Sequence, residues 1–329
     1  VASKIDYRVL KDYNSYIFAF TILMLLAVLS PHVGTKVNGA RRWLSLGHGS
    51  IGFQPSEFAK TALIICVAWY GERYRRQMDT VKRGLVMPAL LVGSLVGLVF
   101  VEPDRGTSIL MAAVAGGMLF IAGARWKFII PSLMMCVLLI GISMRGDKMR
   151  NDRVEAWKHP ELYKTGVGYQ TYQGLLALGS GGVLGLGLGE SREKLGFLPE
   201  KTTDFILPII GEELGLVATL SIVGAFMLLT FAGFYIAANA PDTFGRLLAT
   251  GITLLFSIQA FINIAVVTNT IPNKGMPLPF ISRGGSNLLI MLINVGLLLS
   301  IARKSNVLQP FAETVLEAPQ NPFAEKKIA

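Results

Sequence analysis

Residues 211–237 read GEELGLVATLSIVGAFMLLTFAGFYIA. Glu212 and Glu213 stand at the entrance, and no further charged side chain follows until Asp242. About 20 mainly apolar residues cross the hydrocarbon core of a bilayer as a helix, so this stretch reads as a transmembrane span. Working outward from it, seven more segments carry the same pattern, at 15–33, 55–71, 84–102, 106–123, 128–144, 245–268 and 285–302. Gly and Pro interrupt several of them, which neighbouring helices tolerate inside a membrane. The span at 55–71 carries Glu57 and Lys60 and ranks lowest by hydropathy. The expected fold class is an all-α polytopic membrane protein of about eight spans, with a long outer loop between the fifth and sixth.

Composition agrees. Of 329 residues, 52% are hydrophobic and 16% charged, whereas soluble domains carry about one quarter charged residues. The net charge is nonetheless +10, from 31 Lys+Arg against 21 Asp+Glu. An oily chain that is also basic points to basic loops on one membrane face. A nucleic-acid binder would place its cations on a polar surface, so no nucleic-acid partner is expected. The loop between the second and third spans holds Arg73, Arg75, Arg76, Lys82 and Arg83. Arg125 and Lys127 follow the fourth span, and Arg303 and Lys304 the last. With eight alternating spans these loops share one side, which is the cytoplasmic one. The connection from Met144 to Ile210 carries nine basic and eight acidic residues and is compatible with the outside. The chain divides into a membrane helix bundle over 1–308, with an outer loop at about 145–210, and a polar tail over 309–329 expected to be cytoplasmic and disordered. Cys66 and Cys136 sit in apolar stretches and read as buried hydrophobes, not a disulfide framework. The chain opens at Val1 and not at Met, on a polar segment in which no signal peptide is visible, so that the start is expected to lie inside a longer gene product.

Ionisable groups at membrane depth are costly and mark candidate sites. Here they cluster on the outer side. GARRWL at 39–44 precedes GFQPSEFAK at 52–60. Pro55 suits a first helical turn, and Glu57 lies near the positive end of the helix dipole. Lys60, three residues on, can pair with Glu57. That pair reads equally as a structural ion pair or, with Arg41 and Arg42, as a basic mouth for a phosphate-bearing ligand. VEPDRGTS at 101–108 is a tight outer turn in which Glu102, Asp104 and Arg105 can satisfy one another, or part of a site. In the long loop, residues 174–189 are too Gly-rich for a confident span and too apolar for open solvent, which fits a re-entrant or interfacial segment. The carboxylates Glu200, Asp204, Glu212 and Glu213 come next. Asp204 is flanked by Phe205 and Ile206; apolar surroundings favour the protonated form and make a carboxylate a usable base. Helix capping is the plainer alternative. Finally TNTIPNKGMPLPFISRGGSN at 268–287 forbids regular helix and brings Lys274, Arg283 and Ser286 to the same side. Gln259, Asn263 and Asn294 read as interhelical glue.

Taken together, these blocks resemble the SEDS family (shape, elongation, division and sporulation) of multi-span peptidoglycan glycosyltransferases. GARRWL, QPSEFAK, EPDRGTS, the run from Gly168 to Leu216 and PNKGMPLPFISRGGSN occur in the family's order and cover about Gly39 to Arg303. PNKG at 272–275 and FIS at 280–282 look more like the division branch, FtsW, than the elongation branch, RodA. Two departures stand out. The family has ten spans against the eight read here, so that two N-terminal spans look absent. Arg283 also occupies a position where division-type members usually have Tyr. The resemblance implies polymerisation of lipid II, a disaccharide-peptide on undecaprenyl pyrophosphate, at the outer face of the bacterial cytoplasmic membrane, at the septum. It places the catalytic Asp on Asp204, a functional Trp on Trp43 and a functional Lys on Lys274. Substrate-binding candidates are thus Arg41, Arg42, Trp43, Glu57, Lys60, Asp104, Lys274, Arg283 and Ser286. A class B penicillin-binding protein, other divisome proteins and membrane lipids are the implied partners. With no His/Asp cluster at metal-ligand spacing, no protein-held metal is expected, and a divalent cation would bind through the substrate's pyrophosphate.

Other readings compete. The same reaction in cell elongation is one. A lipid II flippase or transporter is another, although no internal repeat is evident and the polar motifs sit at the outer edge, not the midplane. A non-catalytic scaffold for a transpeptidase is a third.

Overall fold

A computed structural model describes residues 2–31, 33–37, 40–45, 52–144, 148–193 and 202–305. The tail at 309–329 and Glu200 lie outside the described residues. After a short helix α1 (Val9–Asp12), the eight expected spans appear as helices. They are α2 (Asn14–Leu29), α3 (Pro55–Arg73), α4 (Met87–Val101, entered through a π-turn at Lys82–Val86), α5 (Arg105–Ile121), α6 (Trp126–Met144), α9 (Ile206–Ala238), α10 (Thr243–Val267) and α11 (Gly285–Lys304). By length and apolarity the segments Lys82–Val101, α9, α10 and α11 each suffice to cross a membrane. The long connection between α6 and α9 is not structureless: it contains α7 (Lys148–Lys158) and α8 (Tyr169–Ser180).

The least hydrophobic span is the most enclosed. α3 packs against α2, α5 and α10, and buried residues run round all its faces, from Pro55 to Gly71. A helix surrounded by protein needs no oily exterior, whereas one facing lipid does. Accordingly only 11% of the apolar window of α9 is buried, against 67% for α10. Tight contact at the centre comes from Gly251 of α10, where a Cβ would lie 2.6 Å from Ile64 and 2.5 Å from Met118 Sδ; small residues let membrane helices approach in this way.

A three-stranded antiparallel sheet is added to the all-α bundle between α2 and α3. It comprises β1 (Gly34–Val37), β2 (Ala40–Ser45) and β3 (Gly52–Phe53), in that spatial order. Thr35 pairs with Trp43, with a bulge before Lys36. Strands of two to six residues leave little periodic signal, which is why hydropathy does not reveal them.

α9 begins five residues before the expected span and breaks at Gly215 (φ 74°, ψ −170°), a conformation essentially restricted to glycine. The backbone groups freed there find partners in the Gly-rich segment that follows α8. Leu216 N–H donates to Gly182 O at 3.0 Å, Leu186 N–H to Glu212 O at 2.9 Å, and Gly187 N–H to Glu213 O at 3.0 Å. The two backbones approach so closely that a Cβ on Gly185 would lie 2.2 Å from Glu213 O. The repeated Gly-Leu spacing therefore serves backbone contact on one side, while Leu184 and Leu188, 83% and 78% exposed, project away as an interfacial segment would. Glu212 closes this junction, accepting from Ser191 Oγ at 2.5 Å and Arg192 N–H at 3.0 Å.

Candidate active site

Asp204 lies in the turn at 202–205, immediately before α9. Two contacts from the Pro-rich loop between α10 and α11 and one from α10 help to hold this turn. Arg283 N–H donates to Thr202 O at 2.8 Å, Ser282 Oγ to Thr203 O at 2.5 Å, and Asn263 Nδ2 to Asp204 O at 2.9 Å. Phe205 is fully buried behind it and packs with Leu207, Val267 and Leu278. The loop itself is fixed from α10. Asn263 Nδ2 also donates to Met276 O at 2.7 Å, and Gln259 Nε2 to Pro277 O at 2.9 Å. Two amides one helical turn apart thus clamp consecutive carbonyls of the loop, a role the sequence left as general glue. Phe280 is held in the left-handed region at φ 65°, with its ring edge-on to Phe256 at 5.2 Å. Backbone strain of this kind persists only where surroundings enforce it.

The consequence for chemistry is at Gly275. A Cβ there would sit 2.6 Å from Asp204 Oδ2, so the carboxylate lies directly over the residue after Lys274. Lys274 is half-buried. Burial first, and then the charge of Arg105, hold its ammonium below the ordinary lysine range. Arg105 opens α5 and its guanidinium lies 5.5 Å from the Phe100 ring. Two cations whose charges act on each other near this carboxylate favour a polyanionic ligand. Arg105 was read from sequence only as a turn partner of its acidic neighbours; its position at the start of a helix in the same motif was the available signal.

The other predicted residues divide. Alternation along β2 sends Arg41 and Arg42 to opposite faces. Arg42 is engaged by the outer turn, with Nε donating to Glu102 O at 3.1 Å and a terminal nitrogen to Pro103 O at 2.6 Å, whereas Arg41 is exposed. The Trp43 ring covers Gly52, where a Cβ would lie 2.8 Å from Trp43 Cε3. Ser286 ties β3 and the residue entering α3 to α11, accepting from Gln54 N–H at 3.3 Å and donating to Gly52 O at 3.2 Å. Asp104 is the N-cap of α5, accepting from Thr107 N–H at 3.1 Å and Thr107 Oγ1 at 3.0 Å. Glu57 and Lys60 form a buried ion pair at 2.8 Å; Lys60 Nζ also donates to Gln259 Oε1 at 3.0 Å, pointing across the bundle to the helix that holds the loop. Arg283 contributes its main chain and leaves its side chain exposed. Glu213, the neighbour of Glu212, supplies a carbonyl to the glycine segment. Among the described residues no group of three or more His, Cys, Asp or Glu side chains converges as a metal site.

Comparison with known proteins gives this geometry a family. Relatives include the probable peptidoglycan glycosyltransferases FtsW of Trichlorobacter lovleyi, 41% identical over 92% of this chain and 79% of that protein, and of Coxiella burnetii, 39% identical over 92% and 82%. Stage V sporulation protein E of Bacillus subtilis is 38% identical over 92% and 82%. Among solved structures, a chain of a peptidoglycan synthase complex that coordinates polymerization and crosslinking superposes with a TM-score of 0.77 at 26% identity, covering 92% of this chain and 84% of its own. The rod shape determining protein RodA of Thermus thermophilus gives a TM-score of 0.67 at 25% identity, covering 92% and 82%. The FtsW, RodA and SpoVE cell cycle protein family matches residues 1–307, and the chain is a multi-pass membrane protein belonging to that family.

Proposed function

We propose that this chain is a peptidoglycan glycosyltransferase that polymerises lipid II at the outer membrane face for septal wall synthesis. One observation carries the assignment of the site: the Asp204 carboxylate rests on Gly275, next to Lys274 and the charge of Arg105. In the reaction the 4-hydroxyl of one GlcNAc attacks the anomeric carbon of another molecule's MurNAc, and lipid pyrophosphate leaves. Asp204 takes the hydroxyl proton, a step in which a positioned base contributes about 10²–10⁴-fold. Lys274 and Arg105 meet the negative charge growing on the pyrophosphate, which also relieves their mutual repulsion. Arg42 holds the turn carrying Arg105. The relatives named as glycosyltransferases support the reaction, and their FtsW naming supports the division branch. The solved synthase complex that couples polymerization to crosslinking supports a class B penicillin-binding protein as partner.

The test is a lipid II polymerisation assay on the purified complete protein, with that partner and with divalent cation varied. Asp204→Asn is expected to fold and insert but to lose glycan synthesis by about 10²-fold or more. Gly275→Ala should lose activity in the same assay with little change in melting, because its added methyl displaces the Asp204 carboxylate. Undiminished polymerisation by Asp204→Asn refutes the base, and lipid II translocation without any glycan product would make the chain a flippase.

A further inference from the structure

The cytoplasmic end of the bundle carries a second constellation that the polymerisation chemistry does not use. α3 finishes on Trp69-Tyr70-Gly71-Glu72-Arg73-Tyr74, and the chain returns through the π-turn at Lys82–Val86. Trp and Tyr are enriched where a helix reaches the headgroup level. The Arg83 guanidinium lies over the Tyr74 ring at 4.0 Å. Arg73 lies 5.7 Å from the Trp69 ring and 5.9 Å from that of Tyr74. Tyr70 Oη donates to Arg83 O at 2.8 Å, and the Tyr70 and Tyr74 rings are 4.9 Å apart, so the turn is pinned to the end of α3. Stacking one face of a guanidinium on an aromatic ring leaves its N–H edge open for a phosphate.

The acidic residues of this loop are engaged elsewhere. Glu72 pairs with Lys11 at 2.5 Å and Asp79 with Arg125 at 3.4 Å. Among the described residues neither Arg73 nor Arg83 has an ion-pair partner. A hydrogen bond from Arg73, then the nearby charges of Arg83 and Arg73, hold the Tyr74 phenol below its ordinary range, as expected of a site with surplus positive charge. Towards the membrane centre Trp69, Tyr70, Tyr74 and Arg83 border an open groove of about 470 Å³ between α2, α3 and α4, continued by Phe18, Ile22, Met87 and Leu91; Arg73 stands at its headgroup end, beside the Trp69 and Tyr74 rings. Cations at the headgroup level above an apolar slot between helices match one kind of ligand, a lipid with an anionic phosphate head.

We propose that this pocket binds one anionic phospholipid of the inner leaflet, its phosphate held between Arg73 and Arg83 and one acyl chain lying along Met87 and Leu91. Basic pockets between transmembrane helices on the cytoplasmic side recognise such headgroups. The site is on the opposite membrane face from Asp204 and stands independently of the polymerase assignment.

The complete protein is purified in neutral detergent, given equimolar phosphatidylglycerol and phosphatidylcholine, and examined by native mass spectrometry. One retained phosphatidylglycerol per chain, in preference to phosphatidylcholine, is the expected result. The double variant R73Q/R83Q should weaken retention by about twenty-five-fold, roughly five-fold for each arginine, with unchanged melting in phosphatidylcholine nanodiscs. Equal retention of the two lipids by the unaltered chain overturns the proposal, as does undiminished phosphatidylglycerol binding by the variant. Displacement of the lipid by millimolar inorganic phosphate would make this a soluble-anion site and also overturns it. Because the first comparison uses the unaltered chain, a variant that failed to fold would not shelter the idea.

Discussion

Glu102 caps the outer end of α4 with both carboxyl oxygens buried and, among the described residues, without a hydrogen-bond partner. Burial first, and the neighbouring Asp104 second, push its pKa up to about 8 against the opposing pull of Arg42. An unfolded chain gives up this proton near 4.5 and the folded one near 8. Between those values the folded state binds the extra proton, so stability falls as pH rises. The melting temperature in detergent should decline from pH 5 to pH 8, and Glu102→Gln should flatten that decline while leaving stability at pH 5 nearly unchanged. A variant that kept the full slope would place the titration elsewhere. Sequence reading had Glu102 and Asp104 satisfying Arg105 as one acid cluster. The structure gives Asp104 the cap of α5, buries the Glu102 carboxyl without a hydrogen bond among the described residues and sets the Arg105 guanidinium 5.5 Å from the Phe100 ring, distinctions that depend on side-chain direction and not on spacing.

At the scale of elements, α3 shows what hydropathy can and cannot convey. Its existence was legible from Pro55 at the helix start and from the apolar run after Lys60, but its central place was not, because burial by other helices leaves no mark on a helix's own composition. The Glu57–Lys60 pair follows from that place. Lys60→Met leaves Glu57 buried and unpaired, a change that costs about 3–5 kcal/mol. Unfolding in detergent should show that loss, and the double variant Glu57→Gln/Lys60→Met should recover much of it. Equal stability of the single variant and the native chain would mean that water reaches the pair. The sheet was illegible for a different reason: β1 and β2 are identified only by their pairing across a bulge. The contact between Asp204 and Gly275 likewise joins residues remote in sequence, so neither motif alone announces it.

Across the whole molecule the +10 charge separates by place and by use. Arg73, Arg83 and Arg125 gather at one end, and Lys274 and Arg105 at the other; Lys60 is neutralised in between. This polarity sets a topology that labelling can check. In a background without Cys66 and Cys136, Thr270→Cys, exposed in the outer loop, should react with an impermeant maleimide on intact cells. Thr80→Cys, exposed beside Arg83, should react only after permeabilisation. The reverse pattern would invert every assignment of inside and outside. The eight spans were legible because hydrophobicity is a local property; the assembly of the outer loops was not, because it is written in main-chain contacts. All three ties to the turn at 202–204 end on carbonyl oxygens, a group that every amino acid carries. Asn263 and Ser282 therefore position this turn through groups that do not depend on which side chains the turn bears. In the divergence of such a chain, the address can stay fixed while the side chains next to Asp204 drift, so that the placement of the turn and the chemistry it presents are free to change separately.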